Sequence, residues 1–505
     1  MNRLGSDTLE RDHPGIQQKC LLLAALAAVC LLALSKRSLW IDEAATAVQA
    51  MQPDLARWWQ LLVEEKTAHL QMPFYMLYIW GYEKAFGSSE WALRLANAPW
   101  FIAGAAVFVS SFSAGQQRRL MGALVTLLCP FAWYYLDEAR PYGMQLGASL
   151  AVAGALAQLS RASGREPRSE GRVLALLLIA ITVMSGSGLL GMVWGGGALA
   201  LLLVLPGPAE AAALLKRHPM LVGTTASLLL LLGGYYVWTV SIGARATAVA
   251  TTTAGSVMFI AYELLGFSGL GPGRLELRST GASALQSHWP WLVLYGAVVA
   301  AVVLTALARE LKANPRQLLA MALACAAPAA FILAVGYFAH FRALGRHFTP
   351  LLPVLLVTFT CGLCSLWSRG ALWSKGLVLA FCALSLASCL WLRFSVRHGK
   401  DDYRAAAAAA RAALAAGQVV WWNAAAEGAR YYHVPITPEA GNKRAAWIVG
   451  NPTPETLREL PRPQTIVASK PDVYDSEGAL SGFLREQHFT AVKTLQAFVV
   501  WSTNK

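Results

Sequence analysis

Residues 20–46 read CLLLAALAAVCLLALSKRSLWIDEAAT. No charge interrupts Cys20 to Leu34; Lys36-Arg37 then closes the run, and Trp40 precedes the adjacent acids Asp42-Glu43. A hydrocarbon core of about 30 Å takes roughly 20 mostly apolar residues to cross. No small-residue cleavage site follows Leu34, so the segment reads as a retained first span rather than a removed leader. Comparable runs recur near 19–36, 93–113, 120–137, 142–160, 172–186, 188–205, 219–240, 290–308, 317–339, 348–367 and 374–392. The chain is expected to be a polytopic α-helical membrane protein with about eleven transmembrane helices.

Composition agrees. Of 505 residues 56% are hydrophobic and 14% charged, against about 45–50% and about 25% for a soluble domain. A soluble globular enzyme is excluded. Lys and Arg number 42 against 28 acids, a net charge of +14. Much of that excess sits in alternate short loops (Arg118-Arg119, Arg161 to Arg172, Lys216-Arg217, Arg309 to Arg316, Arg369 to Lys375), so the positive-inside rule accounts for it and no nucleic acid is implied. Those loops and the N-terminus are expected on the cytoplasmic side of a bacterial inner membrane. An odd number of spans then puts the tail in the periplasm. The eight cysteines lie in or beside apolar runs, and Cys361 and Cys364 lack the second pair a metal site needs.

Two domains follow: a transmembrane domain, 1–393, and a small periplasmic α/β domain, 394–505. The first outer loop, 37–92, holds two aromatic-rich stretches, Leu55–Val63 and Phe74–Phe86, too short to span and expected as interfacial helices. In the tail, Asp401-Asp402-Tyr403-Arg404 opens an Ala-rich helix. Beyond it, short apolar runs (Val419–Trp422, Ala446–Val449, Thr465–Ala468, Ala497–Trp501) alternate with helix-like segments.

Charge gathers at the outer span ends, where it is costly enough to need a reason. Asp42 and Glu43 beside Trp40 suit proton abstraction or cation binding, or else begin the next helix. In Asp137-Glu138-Ala139-Arg140-Pro141-Tyr142, two acids, an arginine and a tyrosine suit a phosphate and a hydroxyl held together, or an ion pair closing the turn. In His340-Phe341-Arg342-Ala343-Leu344-Gly345-Arg346-His347, basic side chains crowd one outer turn against the positive-inside trend. They suit an anion such as phosphate, or lipid headgroups.

Taken in order, these stretches resemble the C-type membrane glycosyltransferases, which include protein O-mannosyltransferases and the bacterial lipid A aminoarabinose transferases. Trp40-Ile41-Asp42-Glu43-Ala44 matches the motif that follows the first span. His69-Leu70-Gln71-Met72-Pro73-Phe74-Tyr75 is similar to His-Pro-Pro-Leu-Tyr-Tyr, with an insertion and one Pro fewer. Gly87-Ser88-Ser89-Glu90-Trp91-Ala92-Leu93-Arg94, Ala139-Arg140-Pro141-Tyr142 and Arg346-His347-Phe348-Thr349-Pro350-Leu351-Leu352-Pro353 match later steps, the last with His for Tyr. Lys400-Asp401-Asp402-Tyr403-Arg404 resembles the start of the outer domain in bacterial members. The resemblance spans about residues 20–410.

It implies a glycosyltransferase that moves a hexose or pentose from a polyprenyl-phosphate donor to a lipid, glycan or protein acceptor on the periplasmic face, with inversion. Asp42 is then the expected base, with Glu43 and Glu138 as further catalytic carboxylates and room for a divalent cation. Arg140, Arg346 and Arg342 would hold the donor phosphate; His69, Tyr142 and His347 would line the pocket. A lipid-linked-sugar flippase or other transporter is the competing reading. Transporters, however, place charge near the midplane with repeat symmetry, whereas here it gathers at span ends.

Overall fold

The computed structural model describes residues 15–112, 115–161, 167–205, 207–244, 251–437 and 444–503. The bundle contains α1 (Ile16–Ala33), α6 (Ala98–Ser110, continued backward by α5, Glu90–Leu95), α7 (Gln116–Leu127) with α8 (Pro130–Leu136), and α9 (Tyr142–Leu159). It goes on with α10 (Pro167–Gly186), α11 (Leu189–Val204) with α12 (Pro208–Arg217), α13 (Pro219–Ser241), α16 (Trp289–Ala313), α17 (Pro315–Phe338), α18 (Leu352–Ser368) and α19 (Leu372–Phe394). Among the described residues eight helices are long and apolar enough to cross a membrane, or ten if each of two bent pairs is one span. The expected eleven is therefore not reached by that measure. The expected span at 142–160 is α9, an 18-residue helix buried along most of its length. Protein rather than lipid surrounds it, so it can carry Gln145 and Ser149 inward. α7 and α8 meet at 48°, because Pro130 supplies no amide hydrogen and starts a new helix.

α9 is central because glycines let it touch α6 backbone to backbone. A Cβ on Gly104 would overlap the Gly147 carbonyl, and one on Gly147 the Trp100 carbonyl. Small residues at such crossings are how helices associate where lipid removes the hydrophobic drive. The same approach fixes the Asp137–Tyr142 turn that leads into α9.

The loop between α1 and α5 forms three helices at one end of the bundle: α2 (Ile41–Ala50), α3 (Leu55–Glu65) and α4 (Pro73–Phe86). The last two coincide with the expected interfacial stretches. Trp59 of α3 stacks on Trp238 at the end of α13, centroids 5.9 Å apart. At the same end lie α14 (Ala254–Leu264) and α15 (Arg274–Thr280). Arg37 ties the loop to the end of α19: its guanidinium donates to the carbonyls of Leu392 and Arg393 in the last turn and of Ser395 and His398 just beyond it.

The tail folds as an α/β unit. α20 (Tyr403–Ala415) starts where expected, with the Asp402 carboxylate accepting from the Ala405 amide at 3.0 Å. The sheet holds β1 (Val420–Asn423), β2 (Ile436–Thr437), β3 (Ala446–Ile448), β4 (Thr465–Ser469), β5 (Phe489–Leu495) and β6 (Phe498–Thr503) in the order β2-β3-β1-β4-β6-β5. β1 to β4 are parallel; β6 runs antiparallel to β4 and β5. Helices α21 (Ala426–Tyr431), α22 (Pro454–Glu459), α23 (Pro471–Tyr474) and α24 (Ala479–Glu486) connect the strands. Adjacent strand residues face opposite ways: Trp422 packs toward Tyr403 and Phe498, Trp421 toward Phe483 of α24. β2 and β5 are strands where helix-like segments were expected. β5 is an exposed edge whose only buried residue is Phe489, so no apolar alternation marks it.

Candidate active site

Asp42 and Glu43 occupy the first turn of α2, where the helix dipole favours anions. The two diverge from there. Glu43 is fully buried and saturated. Arg94 grips it with two bonds, Nε to Oε1 and Nη2 to Oε2, both 2.8 Å. The Ala139 amide donates to Oε1 at 2.8 Å, the Lys400 ammonium to Oε2 at 3.3 Å, and the Trp40 amide to Oε2 at 3.4 Å. That last bond closes the helix start, so Glu43 meets the alternative reading of the motif. Burial raises the Glu43 carboxyl, but Arg94 and Lys400 outweigh it and hold it at about 2. Asp137 joins the same network through Ser35, accepting from its amide at 2.6 Å and its hydroxyl at 2.7 Å.

Asp42 keeps its carboxylate partly open, at 29% exposure. Arg346 donates to its Oδ2 at 3.2 Å and lies between the rings of Trp40 (5.8 Å) and Tyr142 (5.5 Å). Arg140 reaches the same place from the next turn. One of its amino groups donates to the Asp42 carbonyl (3.3 Å), to Thr46 Oγ1 (2.9 Å) and to His69 Nε2 (2.7 Å). Partial enclosure raises the Asp42 carboxyl, yet Arg140 and Arg346 prevail and hold it below the usual carboxylate range. Burial first, then Arg140, push the His69 imidazole down to about 3. The ring is therefore neutral, accepting at Nε2 and donating from Nδ1 to Thr67 Oγ1 at 2.9 Å.

Among the described residues no ion pair between its acids and Arg140 closes the Asp137–Tyr142 turn. Asn97 shapes it instead, donating to the carbonyls of Glu138 (2.6 Å) and Arg140 (3.1 Å). The Glu138 side chain is fully buried and neither carboxyl oxygen has a partner among the described residues. Burial shifts it upward. Tyr142 is buried at the start of α9, edge-on to Tyr135.

Asp42, His69, Glu138, Arg140, Tyr142 and Arg346 thus gather at one end of the bundle, drawn from across some 300 residues. His347 closes the turn that presents Arg346: its Nδ1 accepts from the Leu344 amide at 3.2 Å, and its ring meets Phe341. Arg342 is exposed and pairs with none of this cluster among the described residues. Arg94 and Lys400 stood within quoted motifs without being singled out. Glu263 and Arg274 carried no signal in sequence. Their ion pair braces the cluster, Arg274 donating to Tyr135 Oη at 2.7 Å and lying 4.0 Å over the Tyr134 ring, while Glu263 accepts from the Gly345 amide at 3.0 Å. Among the described residues no three His, Cys, Asp or Glu side chains converge to hold a metal, and Glu43 and Asp137 are committed to cations of the chain itself.

The fold is the one expected from the resemblance to the C-type polytopic membrane glycosyltransferases. In particular, the chain is similar over almost its whole length to ArnT from Cupriavidus metallidurans, in the structure bound to undecaprenyl phosphate and in the apo state. Each comparison gives 14% identity and a TM-score of 0.50, covering 96% of this chain and 97% of that one. The archaeal oligosaccharyltransferase AglB from Archaeoglobus fulgidus aligns at 11% identity and a TM-score of 0.42, over 79% of this chain and 58% of that one. No family model matches the sequence, and no curated protein matches it.

Proposed function

We propose that the protein transfers a sugar from a polyprenyl-phosphate-linked donor to a hydroxyl acceptor at the periplasmic face of the bacterial inner membrane, inverting the anomeric centre. The two arginines gathered at Asp42 carry this reading. Arg94 and Lys400 are matched by Glu43 and Asp137, and Arg274 by Glu263. Two arginines, Arg140 and Arg346, then converge on Asp42, whose carboxylate stays partly open: Arg346 donates to the carboxylate and Arg140 to the backbone carbonyl, while Glu138 beside them is buried with neither carboxyl oxygen partnered among the described residues. The Nε groups of both arginines are buried without a partner among the described residues, and two guanidiniums with donors to spare in a site sheltered from water suit an anion.

A polyprenyl-phosphate sugar supplies it. The donor diester brings one negative charge, which with Asp42 matches the two arginines. In the transfer the acceptor oxygen bonds to the anomeric carbon and its proton passes to the Asp42 carboxylate. The anomeric carbon–oxygen bond breaks, and its electrons leave on the polyprenyl phosphate. Asp42 is then neutral and the leaving monoester carries two charges, so the arginines stay matched throughout. Attack opposite the phosphate inverts the centre. Asp42 acts as catalytic base, Arg140 and Arg346 as the leaving-group clamp, and Glu138 as a hydrogen-bonding partner for the sugar. Glu43, with every acceptor position taken, positions α2 and the Arg140 turn. His69 and Tyr142 hold Arg140 and Arg346 in place.

The test uses purified protein in nanodiscs with a radiolabelled polyprenyl-phosphate sugar and envelope extract from a strain lacking the gene. A new glycoside of inverted configuration, lost in Asp42→Asn, is expected. Movement of the intact donor between leaflets with no new glycoside would instead establish a flippase.

A further inference from the structure

Arg346 stands where a stretch without regular structure, residues 341–344, gives way to a 3-10 turn beginning at Gly345. Local structure does not fix where its guanidinium falls. α14, which packs against that turn, holds the stretch at both ends. Just ahead of the helix, the Thr252 hydroxyl accepts from the Ala343 amide at 3.0 Å and donates to the Phe341 carbonyl at 2.7 Å. In the last turn of the helix, Glu263 accepts from the Gly345 amide at 3.0 Å. Both side chains are buried.

The end of α14 is itself fixed. Gly266 leaves it in the left-handed region (φ +89°), where a Cβ would press on Pro130 of α8. A carboxylate removed from water needs a cation and further donors. Glu263 offers one oxygen to Arg274, which also donates to Tyr135 of α8, and the other to Gly345. The fit at Gly345 is close. Its backbone is not left-handed, so glycine is there for room: a Cβ would overlap the Glu263 carboxylate.

We propose that Glu263 is a positioning residue for the leaving-group clamp and that, with Thr252, it makes α14 the template that sets where the Arg346 guanidinium stands beside Asp42. The inference rests on the transferase reading above, since it needs Arg346 to hold the donor phosphate. Trp40 and Tyr142 flank the planar head of Arg346. How far that head reaches is set by its backbone, and the backbone is held by Thr252 and Glu263. A displacement of roughly 1 Å at a reacting site can cost on the order of a hundredfold, so an anchor one residue from the clamp bears directly on donor affinity.

Full-length protein in nanodiscs is titrated with undecaprenyl phosphate, and the melting temperature is read alongside. Gly345→Ala should weaken binding by about tenfold. Glu263→Asp is one methylene shorter and makes room for the new methyl, so adding it to Gly345→Ala should recover about threefold or more of that loss. In an Arg346→Ala background, Gly345→Ala should change binding by less than about twofold, because the side chain it displaces is gone. Thr252→Val loses both bonds ahead of the helix at little change in volume and should weaken binding in the same sense, with recovery in Thr252→Ser. It gives an independent reading if Gly345→Ala lowers the melting temperature. A role in stability alone would lower the melting temperature and leave the affinity of the folded protein unchanged. Undiminished binding in both Gly345→Ala and Thr252→Val, no recovery in the double variant, or an equal loss with and without Arg346 would each overturn the positioning role while leaving the transferase standing. Wild type that binds no undecaprenyl phosphate would bring both down.

Discussion

Arg346→Ala and Asp42→Asn remove opposite ends of one 3.2 Å contact, and the mechanism assigns them opposite consequences. Arg346 lies between Trp40 and Tyr142 with its Nε buried and unpartnered among the described residues, so its fork has donors to spare for a phosphate. Each hydrogen bond to a charged group contributes roughly 1.5–3 kcal/mol. Losing one should therefore weaken donor binding by about tenfold to a hundredfold. Lysine should restore only part, since an ammonium lacks the planar fork. Asp42→Asn removes a carboxylate that competes for the same arginine. Donor binding should hold or tighten, while turnover falls by a factor on the order of 10²–10⁴ with loss of the base. The assay titrates undecaprenyl phosphate into each variant in nanodiscs, following intrinsic fluorescence, and measures sugar transfer separately. If Asp42→Asn loses donor binding while Arg346→Ala keeps it, the two roles are reversed and the mechanism is wrong.

Arg94→Met leaves the fully buried Glu43 without its bidentate partner and should cost about 3–5 kcal/mol; adding Glu43→Gln should recover part of it, read as melting temperature in detergent. The Glu43 carboxyl lies at about 2 against an ordinary 4.5, so its stabilisation is complete above the ordinary value and drains away as pH falls toward 2; acid denaturation of Glu43→Gln should lack that component. Because Arg140 and Arg346 depress the Asp42 carboxyl, the acid limb of kcat/KM should lie below the usual carboxylate range, and Arg346→Gln should move it upward; a limb that stays put argues against Asp42 as the base. A reporter active only in the periplasm should be active when fused to the C-terminus, and a signal from the cytoplasmic counterpart would remove the outer-face assignment.

The sequence by itself determined the class. Apolar runs the length of a bilayer, basic loops in alternation and aromatic stretches too short to span record each segment's solvent preference, and that preference is local. It also marked Asp42, Arg140 and Arg346, because charge at a span end is costly enough to be noticed residue by residue. Tertiary structure alone decided the division of labour. Asp42 and Glu43 are neighbours on one helix turn, and nothing local distinguishes them. Their difference comes from Arg94, 51 positions on, and Lys400, 357 positions on, which converge on Glu43 and leave Asp42 to the open side. Glu263 and Arg274 became visible the same way, by packing against Gly345 and Tyr135. The exposed strand β5 follows the same logic: water lines it, so it lacks the apolar alternation of a half-buried strand, whereas the run at 142–160 reads as a span and only packing shows that other helices surround α9.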